Sequence, residues 1–237
     1  MTVAIPAATL IVLRDRPDGP PEILMVERAA TMAFAAGALV FPGGRIDPGD
    51  HALALVMGDR DLAPRLAAIR ETIEEAGIAI GIDGDVDAMR VALAEGASLG
   101  ELGPVDPTQL VPYARWRPSH VPVRIFDTHF YVARLPADAP AARVDGTENS
   151  RTLWTTAAAA LTAANRGEAT LLFPTRRVLE RLAEDVDTDA ALASAARWPV
   201  RTITPWIESR MDGDWVCIPD DLGYPITAEP ASWAVRG

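Results

Sequence analysis

The fold of this chain is decided by the segment Arg70-Glu71-Thr72-Ile73-Glu74-Glu75-Ala76-Gly77. This segment closes a longer stretch, Asp61 to Gly77, in which apolar residues recur every three or four positions, as on the buried face of a helix. Asp61 is expected to cap the start of this helix and Gly77 to end it. Pro64 would lie in the first turn, where proline is tolerated. The periodic apolar positions are Leu62, Leu66, Ile69, Ile73 and Ala76.

Three glutamates, Glu71, Glu74 and Glu75, are predicted to lie on the opposite face of the same helix. Like charges three or four residues apart destabilise an isolated helix by roughly 0.2–0.5 kcal/mol per pair, and the helix macrodipole disfavours negative charge at this end. A bound Mg²⁺ or Mn²⁺ would offset that repulsion, because both ions prefer oxygen ligands. Arg70 is placed to restrain one carboxylate through a charge-assisted hydrogen bond. The alternative is an acidic face that is simply solvated.

Strands and helices alternate along the rest of the chain. A short strand, Ala38 to Phe41, runs into Pro42-Gly43-Gly44, and a glycine pair lets the backbone approach a ligand closely. We expect an α/β or α+β fold in which helices cover a sheet, and no repeat or long linker divides the single domain 1–237. The further predicted strands are Ala8–Leu13, Glu22–Glu27, Ile78–Ile82, Val123–Leu135, Thr202–Glu208 and Asp214–Ile218. The further predicted helices are Asp87–Gly96, Thr155–Asn165 and Pro174–Glu184.

The composition excludes several classes of protein. The 237 residues carry 33 acidic side chains and 22 basic ones, all of which are arginine, for a net charge of −11. A nucleic-acid partner is therefore not expected, since it would require a basic surface. A lone cysteine, Cys217, leaves no internal disulfide and no cysteine-built zinc site. No apolar run approaches the ~20 residues that span a bilayer, so we predict a cytoplasmic protein without a membrane partner.

The residues around the predicted helix resemble the signature of the Nudix hydrolases. That signature has a glycine, five residues, an acid, seven residues, and then Arg-Glu-apolar-x-Glu-Glu-x-Gly-apolar. Gly44 and Asp50 match its first part, with aspartate in place of the usual glutamate. Between Asp50 and Arg70 stand 19 residues, so about a dozen are inserted near His51 to Arg60, and they are expected to loop out at low cost. The second part is matched by Arg70, Glu71, Glu74, Glu75, Gly77 and Ile78.

Several segments outside the signature look like the coenzyme A diphosphatase branch of that family, in its peroxisomal-type members. One departure is that Ala35 stands two residues before Gly37, where the branch has a histidine. The similar segments are Ile23–Arg28, Val40–Asp47, Arg124–Tyr131, Glu148–Trp154 and Gly167–Leu182.

The resemblance implies a Nudix-type α/β/α sandwich, with a mixed sheet flanked by helices, an insertion inside the signature and extra helices after it. It implies metal-dependent cleavage of a nucleoside diphosphate linked to another moiety, with coenzyme A or its acyl derivatives as candidate substrates. ADP-ribose, NADH and dinucleotide polyphosphates are the alternatives within the family, and a homodimer is the assembly that the family implies.

The resemblance also implies roles for individual residues. Mg²⁺ or Mn²⁺ would be bound by Glu71, Glu74 and Glu75, with Arg70 orienting them and the backbone of Gly43 and Gly44 near the metal or the diphosphate. Glu148 is the candidate for an additional ligand or the general base, or else a surface acid. Arg28 and Arg45 are candidate contacts for substrate phosphates.

Two other functions compete with this interpretation. Gly96-Ala97-Ser98-Leu99-Gly100 matches the Gly-x-Ser-x-Gly nucleophile elbow of a serine hydrolase, with Asp127 and His129 as candidate partners. An elbow needs a strand before the serine, whereas the preceding residues have a helical pattern. The second alternative is a non-catalytic Nudix-like module that senses a nucleotide. Such modules often lose the acids, and all three glutamates are present here.

Overall fold

The fold is described from a computed structural model over residues 4–29, 36–118, 125–144 and 149–234. The strands are β1 (Ile5–Arg14), β2 (Glu22–Arg28), β3 (Ala38–Val40), β4 (Gly43–Arg45), β5 (Val111–Trp116), β6 (Phe126–Arg134), β7 (Asn149–Thr156), β8 (Thr170–Leu171), β9 (Thr202–Ile203), β10 (Trp206–Arg210), β11 (Gly213–Cys217) and β12 (Ala228–Pro230). The helices are α1 (Pro48–Val56), α2 (Ala63–Ala76), α3 (Val86–Ala94), α4 (Leu99–Leu102), α5 (Ala157–Asn165), α6 (Phe173–Leu182), α7 (Thr188–Arg197) and α8 (Ala231–Ala234).

A mixed sheet forms the centre of the molecule. Among the described residues it runs in the order β8-β3-β2-β1-β6-β5-β9, with β4 paired to β1 and β7 paired to β2. Strand β1 is parallel to β6 along nine registered positions, from Ile5 opposite Phe126 to Leu13 opposite Arg134. Antiparallel β4 pairs with the first half of β1, so that Gly44 lies opposite Ala8. The strands β10, β11 and β12 make a second, smaller antiparallel sheet.

Helices cover both faces of the large sheet, as the sequence predicts for an α/β fold. Along β1, Leu10 and Val12 are buried in the layer that contains α2, while Ile11 and Leu13 are buried in the layer that contains α6. Alternate side chains of a strand point to opposite faces, so a strand buried on both sides is apolar throughout. Within the described ranges, no helix is long and apolar enough to cross a membrane.

The predicted carboxylate helix is confirmed as α2, but the prediction for its first residue is wrong. A 3₁₀ turn, Arg60–Leu62, precedes α2, and the side chain of Asp59 caps that turn by accepting from the backbone N–H of Asp61 at 2.9 Å. Asp61 therefore lies inside the 3₁₀ turn, and the N-cap of α2 is Leu62, which makes no side-chain capping hydrogen bond. Gly77 ends α2 as predicted, in the left-handed conformation at φ 64° and ψ 34°.

Two further predictions about this part of the chain are wrong. The segment predicted as the strand Ile78–Ile82 is buried but is not a strand, since its isoleucines pack in the α2 layer and pair with no neighbouring strand among the described residues. The insertion is expected to loop out, yet it contains most of α1. In α1, the carboxylate of Asp50 accepts from the backbone N–H of Asp47 at 2.8 Å, which fixes the first turn.

A buried ion pair on α6 gives a prediction for the pH dependence of stability. Arg177 donates to Glu180 at 2.7 Å and to Glu229 at 2.8 Å, and burial raises the pKa of Glu180 to about 7 although Arg177 opposes that rise. The folded protein therefore holds this proton more tightly than the unfolded chain, whose glutamate has a pKa near 4.5. Glu180 should thus contribute a loss of stability as the pH rises from about 4.5 to about 7.

The measurement is urea unfolding of the wild type and of Glu180→Gln at several pH values across that interval. As the pH rises, the unfolding free energy of the wild type should fall relative to that of Glu180→Gln. A difference that is constant with pH would contradict the shifted pKa. Glu184→Gln, on the residue that follows the end of α6 by two positions, is the control.

Candidate active site

Arg70 joins three elements at the carboxyl end of α2. Its Nε donates to Asp50 Oδ1 at 3.2 Å and its Nη2 to Asp50 Oδ2 at 2.9 Å, which is a bidentate pair between two buried side chains. Nη2 also donates to the backbone carbonyl of Arg45 on β4, at 2.9 Å. The spacing in sequence left the role of Asp50 open, and α1 brings it to Arg70 despite the insertion.

Arg70 also holds two of the three predicted carboxylates. Its Nη1 donates to Glu71 Oε1 at 2.9 Å and to Glu74 Oε2 at 2.8 Å. The sequence predicted one such restraint, and the structure shows two, together with the pair to Asp50. The guanidinium thus lies among three acids and partly offsets their mutual repulsion.

The third carboxylate, Glu75, also reaches the glycine pair, on the same face of α2 as Glu71. Glu75 Oε2 accepts from the backbone N–H of Gly43 at 2.9 Å. A Cβ atom at Gly44 would overlap the carboxylate of Glu71, so this glycine lets Glu71 lie directly against the backbone of β4. The hydroxyl of Thr9 on β1 donates to the carbonyl of Pro42 at 2.6 Å and fixes the turn that leads into these glycines.

The surroundings of the site disfavour the ionised form of two of its glutamates. Burial raises the pKa of Glu71 to about 8, with Arg70 opposing the rise and the charges of Glu75 and Glu74 adding to it. Burial also raises the pKa of Glu74, again against the effect of Arg70. Burial by itself would lower the pKa of Arg70, but the hydrogen bond to Asp50 and the charge of Glu71 raise it overall. The arginine is therefore fixed as a cation. Burial, with a smaller contribution from neighbouring carboxylates at Glu71, disfavours the ionised glutamates, and a further cation at the site would favour ionisation.

The donor set fits a hard divalent cation in its chemistry, since all of its atoms are carboxylate oxygens. In the described ranges, however, no three acidic, histidine or cysteine side chains already surround one ion position. Arg70 holds Glu71 and Glu74, while Gly43 holds Glu75, so ligation requires these carboxylates to turn. Glu148, the fourth predicted ligand, lies outside the described residues.

The two arginines predicted to contact phosphate lie at different places. Arg28 ends β2, is partly buried, and its carbonyl accepts from the backbone N–H of Gly37 at 3.0 Å. Arg45 has an exposed side chain and contributes its backbone to the Arg70 network. Their contact with substrate stays a prediction.

The strand registers also align a row of residues across the sheet from Gly44 to two polar side chains, His129 and Arg115, which the sequence did not associate with the carboxylates. The registers place Gly44 opposite Ala8, Ala8 opposite His129, and His129 opposite Arg115. At about 4.8 Å per strand, His129 lies roughly 10 Å from Gly44. Arg115 donates to both oxygens of Asp127, at 2.7 and 2.9 Å. The only indication in the sequence was that polar residues recur at every second position of these otherwise apolar strands, which places them on one face of the sheet.

Ser98 lacks the surroundings of a nucleophile elbow. The segment before it is helix α3 and not a strand. Ser98 precedes the short helix α4, and its hydroxyl donates to Glu101 Oε2 at 2.7 Å in a capping box. The residue therefore has a structural role at the start of a helix.

A mixed sheet between helical layers, with an arginine that bonds several acids on a helix beside a glycine-containing strand, places the chain in the α/β/α sandwich class. The chain matches a NUDIX hydrolase from Alicyclobacillus acidocaldarius with 31% identity and a TM-score of 0.72, over 81% of this chain and 97% of the other. The chain therefore belongs to the Nudix hydrolase family and is an enzyme that acts on diphosphate bonds.

Two further matching structures share less sequence with this chain. The NUDIX domain of Shewanella oneidensis NrtR, complexed with ADP ribose, is 14% identical with a TM-score of 0.46, over 78% of this chain and 88% of the other. A C. elegans Ap4A hydrolase in a binary complex is 17% identical with a TM-score of 0.44, over 74% of this chain and 93% of the other. No model of a protein family and no curated protein matches the chain.

Proposed function

We propose that this enzyme uses Mg²⁺ or Mn²⁺ to cleave the diphosphate of a nucleoside diphosphate that is linked to another moiety. The observation that carries the proposal is the close approach of Glu71 to Gly44 and of Glu75 to Gly43, with Arg70 bonded to Glu71 and Glu74. This brings several carboxylates and an accessible backbone to one end of α2. An anionic diphosphate can bind there once cations have reversed the local charge.

Each residue then has a physical role. Divalent ions, when bound, neutralise charge on the reacting phosphoryl group and lower the pKa of bound water. Glu71, Glu74 and Glu75 supply oxygen ligands. Arg70 holds Glu71 and Glu74 by hydrogen bonds before the ion binds, and these two side chains then rotate towards the ion. The backbone of Gly43 and Gly44 lets the diphosphate approach. Glu148 is proposed as an additional ligand or the general base, on the family resemblance alone.

The part of the substrate beyond the cleaved diphosphate is proposed to extend away from the carboxylates and towards arginine side chains. Because the chain contains no lysine, any side-chain cation on its phosphates must be an arginine or a histidine. Arg28 and Arg45 are the proposed contacts from the sequence, and the row that ends in Arg115 adds a third. Coenzyme A and its acyl derivatives are the first candidate substrates, on the resemblance of several segments to that branch. ADP-ribose, NADH and dinucleotide polyphosphates are the alternatives.

A panel of these compounds, incubated with Mg²⁺ and with Mn²⁺, tests the proposal and selects the substrate. We expect one compound to be cleaved at its diphosphate into two products that each carry a phosphate, with masses that sum to substrate plus one water. Addition of a chelator should stop turnover. Tight binding of a nucleotide without any turnover would instead support the sensor alternative, and cleavage at an ester or amide bond would refute the diphosphate assignment.

A further inference from the structure

The small sheet has an open edge. Strand β10 pairs with β11, and no other strand of the described residues pairs with it. All five residues of β10 are exposed, including Trp206 at 46% and Ile207 at 47%, and Met211 in the following turn is fully exposed. An exposed edge with apolar side chains is a template for pairing with another strand.

The register of the β10–β11 hairpin shows which backbone groups are available. Residues Met211 and Asp212 form a two-residue turn, so Arg210 and Gly213 flank it and exchange backbone hydrogen bonds. Hydrogen-bonded and non-hydrogen-bonded pairs alternate along an antiparallel ladder. Consequently, the backbone N–H and C=O groups of Ser209 and Ile207 point away from β11.

The strand is complementary to itself in one antiparallel register. With a two-fold axis at Ser209, the outward backbone groups of the two Ser209 residues meet, and Ile207 lies opposite the second copy's Met211. Glu208 then lies opposite the second copy's Arg210, twice, in the non-hydrogen-bonded positions where side chains are closest. A register centred on Ile207 would instead place Pro205, which has no N–H, opposite Ser209.

We propose that β10 is the contact surface for a second copy of this chain, in the register centred on Ser209. The charged groups are already held on one face, because Arg210 Nε donates to Glu208 Oε1 at 2.9 Å and the guanidinium lies 4.5 Å from the ring centre of Trp215. The apolar side chains of Ile207 and Met211 come together on the other face. Such an isologous contact closes on itself and joins the two small sheets into one continuous sheet.

The test uses the full-length chain and exploits the symmetry of the charge pairs. Glu208→Arg places arginine opposite Arg210 at both positions, and Arg210→Glu places glutamate opposite Glu208. Each variant alone should dimerise at least about 4-fold more weakly than the wild type by analytical ultracentrifugation, since two pairs at roughly 0.2–1 kcal/mol each change from attraction to repulsion. An equimolar mixture of the two variants restores both Arg–Glu pairs and should form a heterodimer as tight as the wild-type dimer.

A second variant tests the backbone contact. Ser209→Pro removes an N–H that points outward, so the hairpin should still fold by circular dichroism while dimerisation weakens. Glu95→Arg, at the exposed end of α3, is the matched charge control and should associate like the wild type. A wild-type chain that is monomeric at the highest soluble concentration would overturn the proposal. So would a dimer indifferent to both charge variants, or folded charge variants that fail to associate when mixed. None of these outcomes depends on the proposed diphosphatase activity.

Discussion

We expect Glu75→Gln to lower kcat/KM for the diphosphate substrate by about 100-fold, while the protein keeps its fold. The amide oxygen of glutamine can still accept the hydrogen bond from the backbone N–H of Gly43, which Glu75 Oε2 accepts at 2.9 Å. The substitution removes a negative charge from the proposed ion position, and loss of a well-placed catalytic group or of the support of a metal site costs ~10- to 1,000-fold in rate or affinity.

Turnover at several concentrations of Mg²⁺ and Mn²⁺ measures this effect, together with the thermal midpoint of each protein. In the wild type, saturating metal should raise the midpoint because it binds the folded state, and in Glu75→Gln that increase should be smaller. Glu95→Gln changes an exposed glutamate directly after the end of α3 and should leave both quantities unchanged. Turnover of Glu75→Gln equal to that of the wild type would contradict the proposed ligand set.

The parts of the structure that sequence could predict are those whose causes are local. The periodicity that ends at Gly77 predicts α2, and residues three and four apart on a helix must lie on one side, so Arg70 and Glu74 could be expected to meet. The prediction of a strand at Ile78–Ile82 was wrong because a strand needs a neighbouring strand to pair with, and the local sequence does not determine whether one is present. Those isoleucines satisfy their burial by packing beside α2 instead.

The site shows the same division. Asp50 matches the Nudix pattern only if the insertion is ignored. The sequence does not show that α1 brings Asp50 into contact with Arg70, which is 20 residues further along the chain. The row from Gly44 to Arg115 depends on the register of β1 against β6, which are more than a hundred residues apart in the chain. Register follows from which faces are buried, and a single sequence does not state which strands are neighbours.

Arg70→Met should have the largest effect on stability, lowering the free energy of unfolding by about 3–5 kcal/mol. Methionine fills much of the space of the arginine stem but leaves Asp50, which is only 2% exposed, without its bidentate partner. Asp50 would keep the hydrogen bond from the backbone N–H of Asp47 but lose its counter-ion, and a buried carboxylate without a counter-ion carries much of the cost of its desolvation. Glu71 and Glu74 lose the same cation, so activity should fall as well.

A double-mutant cycle separates the pair from the loss of arginine alone. Asp50→Asn should also destabilise the protein, and the double variant should be less destabilised than the sum of the two, because Arg70→Met no longer strands a charge when Asp50 is neutral. Arg115→Met removes the partner of Asp127, but with a side chain that is 38% exposed it should cost only about 0.2–1 kcal/mol. Urea unfolding of the four variants and the wild type measures all of these. Two results would show that the bidentate pair does not hold α1 against α2. One is that the changes in unfolding free energy of Arg70→Met and Asp50→Asn add up to that of the double variant. The other is that Arg70→Met destabilises the protein no more than Arg115→Met does.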